Sequence, residues 1–234
     1  MTQATPKKSD LPVRTASAIV MIAVAGTALW LGGWTFAGFA AAIGIGVYWE
    51  WWGLIRRIAT NVLGQILWMV GGLAYIVQAV IALVALRQSG VEGALLVIAI
   101  VIAVDVGAYF AGRIIGGPKI APSISPSKTW AGLAGGAIVA AAVVLVYIQV
   151  FSCRLGILGN CSSANVIHAA PRAMLVGGLF AIVAQSGDFF ESWMKRRARV
   201  KDSGSLIPGH GGLYDRVDGL LAVLCFVALA YRFF

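Results

Sequence analysis

Seven mostly apolar stretches, each close to the ~20 residues a helix needs to cross hydrocarbon, divide this chain. They run Thr15–Gly33, Thr35–Leu54, Leu63–Leu86, Val91–Gly112, Trp130–Phe151, Ala173–Phe190 and Leu213–Tyr231. In lipid no water can satisfy an exposed backbone amide, so an open strand is excluded and each stretch must coil into a helix. The reading is an all-α, polytopic integral membrane protein of about seven transmembrane helices, with six to nine allowed by how the stretches are divided. Only 12% of residues are charged and 60% are hydrophobic, which excludes a soluble globule. Glycine supplies 29 residues, many inside the stretches, where small side chains let helices approach closely.

No low-complexity linker, heptad run or internal repeat divides the chain. It reads as a polar tail over 1–14 followed by a single transmembrane domain over 15–234. The tail carries Lys7, Lys8 and Arg14 ahead of the first apolar run. More spans follow and no small-residue cleavage site is evident, so that run is expected to be an uncleaved span rather than a signal peptide.

Basic residues set the orientation. With the N-terminus in the cytoplasm, fourteen of the 18 Lys and Arg fall in inner segments, and only Arg87, Arg154, Arg172 and Arg232 fall outside. The net charge of +9 is therefore mostly a property of one face. It favours anionic lipid headgroups and nucleotide phosphates as partners, and nucleic acid is not expected. Cys153 and Cys161 share the loop over 152–172, which this topology places outside. An external compartment permits a disulfide between them, and two free thiols remain the alternative. Cys225, within the last span, reads as a small buried hydrophobe.

Ionisable groups crowd into one place. From Ser192 to Asp218 the chain reads SWMKRRARVKDSGSLIPGHGGLYDRVD. Basic residues and flexible glycines suit a polyphosphate, and paired carboxylates suit the divalent cation that travels with one. Asp188, Ser192 and Lys195 share a helical face, as do Asp215 and Asp218, and Asp105 lies at a similar depth on the fourth span. Carboxylates inside a membrane are expensive, so each marks a site or pathway unless a nearby cation such as Arg113 or Arg216 pairs it structurally. Lys128 follows Ser-Pro-Ser at the start of the fifth span, where a helix N-terminus also favours anions. Arg197 and Arg199 read as surface charges. Glu50, within the aromatic run Tyr48–Trp52, reads as an interfacial residue bordering a lipid groove.

The ordered string S-x-M-K-R, then K-D-x-G, then L-I-P-G-H-G-G-L-x-D-R-V-D resembles the signature of the phosphatidate cytidylyltransferases, or CDP-diacylglycerol synthases. Asp105, the stretch AYFAGR over 108–113 and SISPSKTWAG over 123–132 extend the resemblance upstream, so that it covers roughly residues 100 to 234. One departure is Ala131, where the family usually carries Glu.

The resemblance implies transfer of cytidylate from CTP to phosphatidate, releasing pyrophosphate, with Mg²⁺ as cofactor and room for a second cation. It implies a site built mainly from 105–132 and 185–218. Asp188, Lys195, Asp215 and Asp218 would be its reactive core. Asp188, Asp215 and Asp218 would bind metal, with Asp105 a further carboxylate. Ser125, Lys128, Thr129, Ser192, Arg196, Lys201, His210 and Arg216 would contact the phosphates of CTP or phosphatidate. Partners would be CTP, phosphatidate and membrane lipids, and a homodimer is compatible with the chain. The expected location is a bacterial inner membrane with the site facing the cytoplasm. Two other readings stay open: a related membrane cytidylyltransferase with another lipid phosphate as acceptor, and a transporter with an intramembrane acidic relay.

Overall fold

The computed structural model describes residues 11–154 and 163–233, with side chains described over 11–150 and 169–232. Seven helices follow the seven apolar stretches: α1 Leu11–Leu31, α2 Gly33–Ile58, α3 Val62–Ser89, α4 Val91–Ile114, α5 Trp130–Arg154, α6 Ser163–Arg197 and α7 Tyr214–Phe233. Five of them, all but α2 and α7, are long and apolar enough to cross a membrane by length and composition. The other two fall short for readable reasons. Glycines and tryptophans dilute α2, and α7 opens on Asp215, Arg216 and Asp218.

Several boundaries differ from the sequence reading, most of all at α6, which covers Ser163–Arg197 where Ala173–Phe190 was expected, so that part of the expected 152–172 loop is helical. Helix α1 already covers Leu11–Arg14, inside the expected tail. Between α4 and α5 lies a short antiparallel hairpin of β1 Lys119–Ala121 and β2 Ser125–Thr129, paired Lys119 to Thr129 and Ala121 to Ser125. The hairpin sits between spans, where water can serve its outer edges, so the rule against open strands in lipid is kept. The pair Cys153 and Cys161 lies outside the residues whose side chains are described.

Small residues set the spacing of the central helices. A Cβ at Gly107 on α4 would stand 2.6 Å from the carbonyl oxygen of Gly135 on α5, and one at Gly136 would stand 2.8 Å from that of Val104. Likewise Gly177 on α6 lies against the backbone of Ala141 on α5. Where no hydrophobic force drives helices together, such close backbone approach supplies the dispersion contact that does.

An aromatic cluster closes the bundle at one end. Trp51 is 2% exposed and donates its indole N–H to the Trp68 carbonyl at 3.1 Å. Its ring centroid lies 5.8 Å from those of Phe190 and Tyr214, so one side chain ties α2 to α3, α6 and α7. Trp49 and Trp52, by contrast, are exposed. The run Tyr48–Trp52 is therefore only half interfacial: Trp51 and Glu50 point inward.

Contacts distribute the connections to two ends. At one, Arg87 of α3 donates to the carbonyls of Leu29 and Trp30 where α1 finishes. At the other, Ser17 near the start of α1 donates to Pro208 in the α6–α7 connection, and Arg196 near the end of α6 donates to Ile124 in the hairpin. The start of α1, the end of α2, the hairpin and the α6–α7 connection thus share one end of the bundle.

Candidate active site

Asp188 reaches the site because α6 and α7 cross on glycines. A Cβ at Gly187 would meet the Asp218 carbonyl oxygen at 2.5 Å, and one at Gly219 would meet Asp188 Oδ1 at 3.3 Å. Absent those side chains, the Asp188 and Asp218 carboxylates stand beside each other. Across the gap, Lys128 of β2 forms an ion pair with Asp188 Oδ2, its ammonium 5.0 Å from the centroid of the Phe189 ring. Asp105 is exposed on α4 and feels the same two charges.

About two turns further along α6, Lys195 is held between two carboxylates. Its Nζ lies 2.5 Å from Glu191 Oε2 and 2.6 Å from Asp215 Oδ1. Glu191 is 2% exposed and its other oxygen, Oε1, has no protein partner. Asp215 is fully engaged: Oδ2 accepts from the Ser203 amide at 2.9 Å, the Ser203 hydroxyl at 3.0 Å and the Gly212 amide at 2.9 Å.

The segment between the helices is shaped by its backbone. After α6 the chain turns through Arg199 at φ 56°, and the Val200 amide donates back to the Lys195 carbonyl at 3.0 Å. A tight turn follows, closed by Ile207 N–H to Gly211 O at 3.1 Å, with Gly209 and Gly211 at φ 76° and 82°. Only glycine adopts such angles freely. His210 at the turn has a buried Nδ1 without a protein partner, and its carbonyl accepts from Arg216 at 2.5 Å.

Residues expected at the site thus divide. Asp188, Asp218, Lys128, Lys195, Asp215, His210 and Arg216 gather at one end of the bundle. Arg196 is exposed and anchors the hairpin. Lys201 is exposed on the connecting segment and Ser192 is half-buried on α6. Thr129 is 2% exposed, and its hydroxyl accepts from the Gly132 amide at 3.0 Å, so it caps α5 instead of facing a ligand. Ser125 is 8% exposed within β2. Arg197 stacks over Trp193 at 5.4 Å and is exposed, as a surface charge should be.

Among the described residues no three His, Cys, Asp or Glu side chains gather as a metal-holding group. The Asp215 oxygens meet Lys195 and the connecting segment. Asp188 and Asp218 fit a hard divalent cation, since their carboxylates stand beside each other, and of the two Asp188 is the one that meets Lys128.

Sequence reasoning missed Glu191, Ser203 and the inward role of Glu50. Glu191 was legible, because it stands four residues before Lys195, the spacing at which opposite charges meet on a helix. Ser203 and Glu50 meet across 153 residues, and no local pattern announces that.

Comparison with known proteins bears on the same segment. A model of the cytidylyltransferase family matches residues 52–234. A phosphatidate cytidylyltransferase of Brucella suis biovar 1 is 35% identical, covering 96% of this chain and 93% of its own length. One of Rickettsia bellii is 32% identical, covering 92% of this chain and 88% of its own length. A third, of Haemophilus influenzae, is 40% identical over 59% of this chain and 45% of its own length.

Proposed function

The chain belongs to the cytidylyltransferase family, and on that premise we propose that it transfers cytidylate from CTP to phosphatidate, giving CDP-diacylglycerol and pyrophosphate. One observation carries this reading. Two ammonium groups, Lys128 and Lys195, are held against Asp188 and Asp215 at a single end of an apolar bundle, where a lipid phosphate and a soluble nucleotide can meet. A transporter relay has no use for cations clustered at one face beside a glycine turn.

A phosphate oxygen of phosphatidate attacks the α-phosphorus of CTP. The new P–O bond forms as the bond to the bridging oxygen of pyrophosphate breaks. The transferring group needs no protein nucleophile, so catalysis rests on positioning and on charge placed where it develops. Lys195 supplies a cation whose direction is set by Glu191 and Asp215, and Lys128 supplies a second from the hairpin. Arg216 and the His210 turn stand at the same end, and Arg196 and Lys201, exposed beside it, add positive charge for the approach of phosphates. Asp188 and Asp218 would hold Mg²⁺, which supplies Lewis-acid neutralisation of phosphate charge when bound. The basic end faces the cytoplasm of a bacterial inner membrane in this reading, because it carries most of the Lys and Arg.

The test is direct. Purified protein is incubated with labelled CTP, Mg²⁺ and either phosphatidate or an isoprenoid-ether lipid phosphate. Lipid-linked cytidylate formed with phosphatidate supports the proposal. Product formed only with the other acceptor would move the chain to a sister activity, and no product with either would refute the transfer.

A further inference from the structure

Glu50 precedes the segment matched by the family and lies outside every motif that marks the site, yet it is 3% exposed. A carboxylate this buried persists only where donors meet it. Its Oε1 accepts from the Leu213 amide at 3.0 Å. Its Oε2 accepts from the Tyr214 amide at 2.8 Å and shares the single proton of the Ser203 hydroxyl, 3.0 Å away, with Asp215 Oδ2. Two of these donors are amides at the start of α7, which have no acceptor within their own helix, so a residue of α2 caps it. The Ser203 hydroxyl also lies 3.0 Å from Asp215 Oδ2, joining Glu50 to the Lys195 pair. Room for the carboxylate is made by two glycines. A Cβ at Gly204 would meet Glu50 Cδ at 2.6 Å, and one at Gly212 would meet Oε2 at 2.7 Å.

We propose that Glu50 is a positioning residue that latches the 203–214 segment onto α2 and so sets where Asp215, Lys195 and the His210 turn stand for the nucleotide. Only its kinetic consequence rests on the CTP reaction proposed above. Bonds to a charged acceptor are stronger than those to a neutral one, so replacing the carboxylate by an amide of the same shape loosens the latch without emptying its place. The binding-competent fraction of the segment then falls, and apparent affinity for CTP falls in proportion, while saturating CTP restores the arrangement.

The experiment compares full-length wild type, Glu50→Gln, Ser203→Ala and the double variant, by CTP kinetics and by amide hydrogen exchange over 203–214. In Glu50→Gln the KM for CTP should rise about tenfold with kcat within about threefold, and exchange at 213 and 214 should quicken about tenfold. Ser203→Ala should move KM the same way, and the double variant should fall short of the product of the two, since they share one network. A wild-type KM together with wild-type exchange in Glu50→Gln overturns the latch, as does loss of kcat at unchanged KM. Should wild type make no lipid-linked cytidylate, the transfer reading falls alone. Exchange then decides, and unchanged rates in Glu50→Gln overturn the latch.

Discussion

Lys195 and Asp215 meet at 2.6 Å across the junction of α6 and α7, twenty residues apart in the chain. The pair joins the last turn of one helix to the first turn of the next, and the intervening segment folds back onto the same Asp215 carboxylate. A cation that supplies the site also holds its frame.

Removal of that cation is therefore costly. Lys195→Ala strands two carboxylates in a partly buried place, an arrangement worth roughly 3 kcal/mol or more when one partner is lost. Turnover should fall at least about 100-fold, with part of the loss in stability. Arg197 lies two positions on, about 200° around the helix, and faces outward. Arg197→Ala should cost about 1 kcal/mol or less. Steady-state kinetics in CTP at matched protein levels check both, and equal losses would mean a diffuse basic patch.

Asp188 and Asp218 offer adjacent oxygens for a divalent ion. Asp188→Asn keeps the volume but removes a charge, so turnover should fall by about two orders of magnitude or more, with residual rate shifted to higher Mg²⁺. Rate measured against Mg²⁺ concentration tests it. Near-normal activity at limiting Mg²⁺ removes Asp188 from the metal.

The orientation can be read chemically. Ser205 is exposed on the connecting segment, so a cysteine there should react with a membrane-impermeant maleimide in inverted vesicles and stay unlabelled in intact spheroplasts. Labelling from outside would place the site away from cytosolic CTP.

Packing of α4 on α5 tolerates no side chain at its tightest point. Gly107→Val would press on the Gly135 backbone, which has nowhere to move, and overpacking of this kind costs about 1–3 kcal/mol. The melting temperature in detergent should drop by several degrees, while Gly71→Ala, facing open space, should leave it unchanged. Equal melting would show that the crossing relaxes easily.

Much of this protein was legible in order of residues alone. A run of apolar residues in lipid has one way to satisfy its backbone, so the existence and order of the seven helices follow from local composition, while the extension of α6 to Ser163–Arg197 does not. The gapless string around Lys195 and His210 carries the family because its chemistry is contiguous. The hairpin escaped because Lys119–Ala121 and Ser125–Thr129 are too short for periodicity to register.

What the tertiary structure alone decided is which charges meet. Lys128 finds Asp188 sixty residues away, and Glu50 finds the start of α7 more than 160 residues away. Asp215 was expected as a metal ligand on the strength of its motif, and only the tertiary structure shows that its oxygens meet Lys195, Ser203 and Gly212. Local sequence determines helices because backbone hydrogen bonds close within four residues. The partner of a buried carboxylate is settled by whichever donors the packed helices bring to it: glycines at 187 and 219 govern how near α6 and α7 come, and those at 204 and 212 make room for Glu50.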